Sequence, residues 1–178
     1  MKKIILIMTL LLVVAVSTTP VEAKEGDMYG GVKAGFMLID VKSVDDILAF
    51  GGLFGMGIAP KVYVEAELNL GFIGGNFEPV PGVDGDFDIW TIGAYAVYKE
   101  TLVEKIGTQK VYLKGKIGVL YENVRAKVDT FNESLSDVGL TFGGGAGIKL
   151  DDKTDIEVEL TLLEGDVWFL STGVNFAF

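Results

Sequence analysis

Charged residues recur two apart along this chain. Glu65 and Glu67 form one such pair, Lys114 and Lys116 a second, and Glu157 and Glu159 a third, with a single Lys33 ahead of them. Residues two apart on an extended strand point to the same face, so each pair presents two like charges from one side of one strand. Ammonium and carboxylate groups arranged this way can neutralise one another or line a path for ions. Acid–base and nucleophilic chemistry is poorly served, because the chain has no histidine and no cysteine. A Ser–His nucleophile and the usual zinc ligand sets are excluded, and no disulfide can form. Asp84-Gly-Asp-Phe-Asp88 places carboxylates at alternate positions but lacks the rest of a calcium-binding loop, so it reads as a solvated acidic loop. Gly143-Gly-Gly-Ala-Gly147 opens no helix and is no phosphate cradle. No enzyme activity, cofactor or metal is expected. The formal net charge of −10 argues against a nucleic-acid partner.

The elements that must position these charges are strands. Eight segments alternate between unlike faces, at roughly 28–39, 47–59, 61–73, 87–98, 110–122, 138–150, 154–164 and 167–178. In the third, Val62, Val64, Ala66, Leu68, Leu70 and Phe72 share one face, and Tyr63, Glu65, Glu67, Asn69 and Gly71 share the other. Each segment reaches the 9–11 residues a membrane-spanning strand needs. Ala59-Pro60 and Asp151-Asp152-Lys153 read as tight turns, while 40–46, 74–86 and 123–137 read as longer, mobile loops. Short turns at one end and longer loops at the other suit a transmembrane barrel. The connections 99–109 and Gly165-Asp166 depart from that rule.

The N-terminus reads as an address. Lys2 and Lys3 precede an apolar run from Ile4 to Val16, and Val21-Glu22-Ala23 resembles a cleavage site. This is the pattern of a secretory signal peptide over residues 1–23, leaving a single barrel domain over 24–178. The apolar run falls short of the roughly 20 residues of a spanning helix.

Alternation alone leaves open which face points outward, since a soluble lipocalin-like barrel alternates too. Aromatic placement favours an outward apolar face. Phe36, Phe50, Phe72, Trp90, Tyr121 and Trp168 fall near one set of strand ends, and Tyr98, Phe176 and Phe178 near the other, as two membrane girdles would. The charges then face a bore only wide enough for side chains to fill. Lys33, Glu65, Glu67, Lys114, Lys116, Glu157 and Glu159 lie at similar depth with alternating sign, and Lys149 on the sixth segment is expected to bring the layer to neutrality. Tyr29, Tyr63 and Tyr112 are expected just below it. Two readings follow: a plug of ion pairs, or a narrow ion path lined by the same residues.

The last segment, Trp168 to Phe178, carries a resemblance. Ser171, Gly173, Phe176 and the terminal Phe178 resemble the C-terminal insertion signal of bacterial outer-membrane barrels. Met28-Tyr-Gly-Gly-Val-Lys-Ala-Gly-Phe36 resembles a first strand, and Val138 to Leu150 a Gly-rich sixth strand, of the OmpA/OmpX superfamily. The resemblance implies an all-β fold, a closed antiparallel eight-stranded up-and-down transmembrane β-barrel, with the chain ending as a membrane barrel alone. It implies an outer-membrane location, lipid as the surroundings, and periplasmic chaperones and the barrel-assembly machinery as partners in biogenesis. The expected role is structural or loop-mediated surface interaction. The alternatives are a narrow channel for ions or small solutes, and a periplasmic lipocalin-like binder of apolar ligands.

Overall fold

The computed structural model describes residues 26–40, 44–73, 76–80, 83–106, 109–128, 131–165 and 167–178. The expected signal peptide lies outside them. The strands are β1 (Met28–Ile39), β2 (Ile47–Ala59), β3 (Val62–Ile73), β4 (Asn76–Val80), β5 (Val83–Ile106), β6 (Gln109–Val128), β7 (Phe131–Lys149), β8 (Thr154–Glu164) and β9 (Val167–Ala177). The ring runs β1-β2-β3-β5-β6-β7-β8-β9, and β9 returns to β1. All of these pairings are antiparallel. The fold is a closed eight-stranded up-and-down barrel, and the short β4 is an extra strand laid on the start of β5. Closure leaves no sheet edge around the ring, so its backbone groups are paired without help from solvent.

Strands β1, β2, β3, β8 and β9 fall within a residue of their expected bounds. The other three are longer than expected. Residues 87–98 sit inside a strand that runs from Val83 to Ile106, and 123–128 and 131–137, expected in a loop, lie in strands. There β6 and β7 continue in register to Val128↔Phe131. Polar composition was the misleading signal. Asp86 faces Lys127 and Asp88 faces Arg125 across β5 and β6. Opposite charges directly across a ladder support a sheet that stands in water. Residues 99–106 likewise continue β5 against β6, with Thr101 opposite Tyr112 and Lys105 opposite Lys110.

The turns at the end bearing the chain termini are tight for local reasons. Lys61 takes a left-handed backbone conformation (φ 65) between β2 and β3. Its ammonium donates to both carboxylate oxygens of Glu100, at 2.9 and 2.8 Å, which raises the Lys61 pKa above its ordinary value. Between β7 and β8, Asp151 accepts the backbone N–H groups of Lys153 and Thr154, each at 2.8 Å. Those donors hold its carboxyl below the usual range.

The two faces separate cleanly. Val32, Leu68, Ile92, Ile117, Val119 and Val158 project outward and are exposed, Val32 by 64% and Ile117 by 62%. Trp90 faces outward, 5.3 Å from Tyr121, and Trp168 lies 6.3 Å from Phe142 near the same end of the barrel. Phe54 and Phe178 meet at 6.2 Å at the opposite end. The side chain of Phe72 lies outside those described. The outward wall of aliphatic residues between aromatic bands is the inverse of a lipocalin, whose apolar face lines the bore. The bore here is not uniform. Its half towards the terminal end is charged, and its far half is apolar, built from Met37, Ile47, Phe87, Ile89, Leu120, Leu163 and Phe169.

Leu68, on the outer wall of β3, supplies a test of the faces. Leu68→Arg is expected to lower the unfolding free energy in lipid vesicles by about 2–4 kcal/mol. Leu135→Arg, on β7 beyond the ring, should stay within about 0.5 kcal/mol of the parent. Equal effects at the two sites would contradict the lipid-facing assignment.

Candidate functional site

The charged half of the bore is built from strands in alternation. Lysines come from β1 (Lys33) and β6 (Lys114, Lys116), and glutamates from β3 (Glu65, Glu67) and β8 (Glu157, Glu159). The strands between them carry glycine on the inward phase: Gly51 and Gly55 on β2, Gly93 on β5, Gly143, Gly145 and Gly147 on β7, and Gly173 on β9. Two of these glycines are required by close approach. A Cβ on Gly55 would overlap the ring of Tyr29, its cross-strand partner, and a Cβ on Gly147 would overlap the ring of Tyr112. The tyrosines therefore lie flat over bare backbone, and the long charged chains reach across the bore.

Within this space every named lysine meets glutamate. Lys33 Nζ is 2.7 Å from Glu67 and 3.4 Å from Glu159. Lys116 Nζ is 2.6 Å from both Glu67 and Glu159. Lys114 Nζ touches three carboxylates, Glu65 and Glu157 at 2.9 Å and Glu159 at 2.8 Å. Neutral donors complete the carboxylates. Tyr29 donates to Glu65 at 2.6 Å and Thr161 to Glu159 at 2.8 Å. The Tyr112 hydroxyl lies within hydrogen-bond distance of both Asp155 (2.8 Å) and Glu157 (2.9 Å). Rings flank the ammonium groups, with Lys116 4.2 Å from the centroid of Tyr95 and Lys33 5.2 Å from that of Phe169.

The structure brings together seven of the eight residues expected in this layer. Lys149 is not among them. It pairs in register with Lys110 and Asp155 at the hairpin end and is exposed at the rim of the terminal mouth. Its inward phase was readable, but its depth depends on the stagger between strands. The cation that neutralises the layer is Lys99, which falls in the segment 99–109 expected as a connection and is found in β5. Its ammonium sits 3.6 Å from Glu157 and 4.1 Å from the centroid of Tyr29, with Tyr63 at 5.5 Å and Tyr112 at 5.2 Å. The alternation of Tyr95 and Val97 inward, continued by one step, points to Lys99. Four lysines then face Glu65, Glu67, Glu157 and Glu159. Below them a vestibule of ≈ 370 Å³ opens at the terminal end.

Among the described residues, Glu65, Glu67 and Glu159 form the one group of carboxylates close enough to share a metal ion, with ligand atoms within 4.8 Å of one another. Lysine ammonium groups already meet each of them. The arrangement is self-neutralising.

The C-terminal residues take distinct places. Ser171 is buried in the bore and Gly173 packs against Lys33. Phe176 and Phe178 face outward, and the Phe178 backbone N–H donates to the Met28 carbonyl at 3.1 Å, tying the chain end to β1.

The outer membrane protein beta-barrel domain family model matches residues 7–177. The chain belongs to that family. No curated protein matches it in sequence. Among solved structures, Neisserial surface protein A is similar at 15% identity and a TM-score of 0.57, covering 85% of this chain and 96% of that one. Ail of Yersinia pestis, solved with the heparin analogue sucrose octasulfate, is similar at 19% identity and a TM-score of 0.56, covering 87% and 100%. The N-terminal barrel domain of Pseudomonas aeruginosa OprF is similar at 15% identity and a TM-score of 0.55, covering 86% and 100%. At these identities the likeness is one of fold.

For this outer-membrane-family barrel, the ion pairs set a sharp energetic contrast. Ions taken from water must recover their hydration from one another, and removing one partner of a buried pair costs about 3–5 kcal/mol. Lys114→Met takes one ammonium group away from each of Glu65, Glu157 and Glu159 and should lower stability in vesicles by that amount. Lys149→Met, at the exposed rim, should cost less than about 0.5 kcal/mol. Urea unfolding of the two variants decides the point, and equal costs would place Lys149 back in the network.

Proposed function

We propose that this chain is a non-enzymatic protein of the bacterial outer membrane that is closed to solutes and meets its partners through the sheet that stands beyond the barrel. One observation carries the reading. Among the described residues β8 pairs with β7 only from Phe142 onward, while β6 pairs with β7 back to Phe131. The stretch Phe131–Asp137 is thus one edge of a projecting sheet, with Leu135 exposed by 73%. An edge of this kind offers backbone donors and acceptors in a row and takes up extended segments of other chains. Family membership supports the location, and the neutralised bore supports closure over conduction, which leaves a narrow ion channel as the weaker reading. A lipocalin-like role is set aside by the outward apolar wall.

The projecting region carries Asp86, Asp88, Glu122, Glu133 and Asp137 against Arg125 and Lys127. That balance disfavours a polyanion such as the sulfated sugar bound by Ail, and favours a protein segment with basic residues. In this reading the signal peptide directs export, periplasmic chaperones and the barrel-assembly machinery handle the chain, and Ser171, Gly173, Phe176 and Phe178 serve as the insertion signal.

The absence of cysteine makes topology directly measurable. Leu135→Cys should react with a membrane-impermeant maleimide on intact cells. Lys153→Cys, in the β7–β8 turn, should react only after the outer membrane is permeabilised. The reverse pattern would turn the barrel over and remove the projecting sheet from the cell surface. Recovery in the soluble fraction would contradict the outer-membrane location itself.

A further inference from the structure

The side chains along the edge Phe131–Asp137 specify the segment that fits it. In the β6–β7 register Leu135 lies opposite Val124, and in the β5–β6 register Val124 lies opposite Ile89. Residues opposite one another in an antiparallel pair share a face, as do residues two apart on one strand. Glu133, Leu135 and Asp137 therefore stand on the face that continues the bore. Asn132, Ser134 and Ser136, all uncharged, stand on the other. The apolar row across the first face is unfinished. It runs from Ile89, which is buried, through Val124, half-buried at the wall of an apolar pocket of ≈ 250 Å³ in the far mouth, to Leu135, exposed by 73%. Among the described residues no strand pairs with the outer side of β7 at Leu135.

At roughly 3.3 Å per residue this edge is about 20 Å long, enough for one short extended segment. In such an addition the backbone bonds supply affinity and the alternate side chains supply selectivity. Side chains placed directly across a ladder stabilise it when apolar meets apolar or when charges are opposite, and like charges there are unfavourable. The segment that extends the row beyond Leu135 thus carries an apolar residue opposite Leu135. Its neighbours two residues to either side face Glu133 and Asp137, which are both exposed. We infer that the edge selects extended segments of the pattern base-x-apolar-x-base. The inference rests on the proposed role of this edge in binding protein segments and adds which segments it takes. The pattern reads the same from either end, so it suits a segment that runs antiparallel or parallel to β7.

The test uses the full barrel in phosphatidylcholine nanodiscs, with backbone amides and leucine and valine methyl groups observed by NMR. Three peptides with blocked ends are titrated, and empty nanodiscs correct for binding to lipid. The first is Thr-Thr-Lys-Thr-Val-Thr-Lys-Thr-Thr. The second carries glutamate at both lysine positions. The third, Thr-Thr-Thr-Lys-Val-Lys-Thr-Thr-Thr, has the same composition as the first but puts its lysines on the face opposite valine. The first peptide should saturate, slow amide exchange between Asn132 and Ser136, and shift the Leu135 methyl groups. It should bind about tenfold tighter than either of the others. Raising the salt from about 50 to 500 mM should narrow its advantage over the glutamate peptide, because exposed charges are screened. Glu133→Lys combined with Asp137→Lys, both at exposed sites, should reverse the preference in favour of the glutamate peptide. Equal protection of the edge by all three peptides, or a preference that the charge reversal leaves unchanged, would overturn the pattern while leaving the edge as a docking surface. Protection by none of them would overturn the pattern and the docking role of the edge together.

Discussion

Ionised groups held away from water must find their counter-charges within reach, and the interior of this barrel is arranged around that requirement. A ring of eight strands leaves room for side chains and little else. Four lysines and four glutamates placed there can persist only if each is paired and hydrogen-bonded. The lysine strands β1 and β6 therefore alternate with the glutamate strands β3 and β8, so Lys33, Lys114 and Lys116 each lie between carboxylates, and Lys99 from β5 adds a fourth cation beside Glu157. Glycines on the intervening strands clear the space the long side chains cross. Tyr29 and Tyr112 occupy the bare backbone at Gly55 and Gly147, and their hydroxyls donate hydrogen bonds to Glu65 and Glu157. Changing one member of this set changes the constraints on the rest.

The plug and the lipid wall are two consequences of one alternation. Each inward charge has an aliphatic or aromatic side chain on an adjacent residue that points outward, and ring closure settles which side is which. The apolar far half of the bore divides the interior further. It seats Phe169 above Lys33 and ends in a pocket at the far mouth, so the two ends of the barrel present different chemistry. The terminal end is a charged vestibule, and the far end is an apolar cup with an acidic rim beside a projecting sheet.

Strands bounded by tight turns were legible in the sequence. Ile47–Ala59, Val62–Ile73 and Thr154–Glu164 alternate cleanly and each begins or ends at a tight turn. The extensions of β5, β6 and β7 were not, because outside the bilayer a strand no longer needs an apolar face, and Asp88 with Arg125 reads as loop until the partner strand is known. The charged site was legible by phase. Lys33, Glu65, Glu67, Lys114, Lys116, Glu157 and Glu159 meet because they share a face and a depth. Lys149 shares the face without the depth, and Lys99 was hidden in a segment read as a turn. Depth follows from the stagger between neighbouring strands, which alternation within one strand does not carry. The apolar far half was present on the inward phase as Met37, Ile47, Leu120, Leu163 and Phe169, but the charged residues drew the reading towards a uniformly polar bore.

Mutual neutralisation in the bore is most directly tested by conductance across a planar lipid bilayer. The wild-type barrel should show little steady current. Replacing Lys114 and Lys116 together with alanine should open a cation-preferring leak, because Glu65, Glu67, Glu157 and Glu159 then line a widened, negatively charged path. Robust wild-type conductance that the double substitution leaves unchanged would contradict the account.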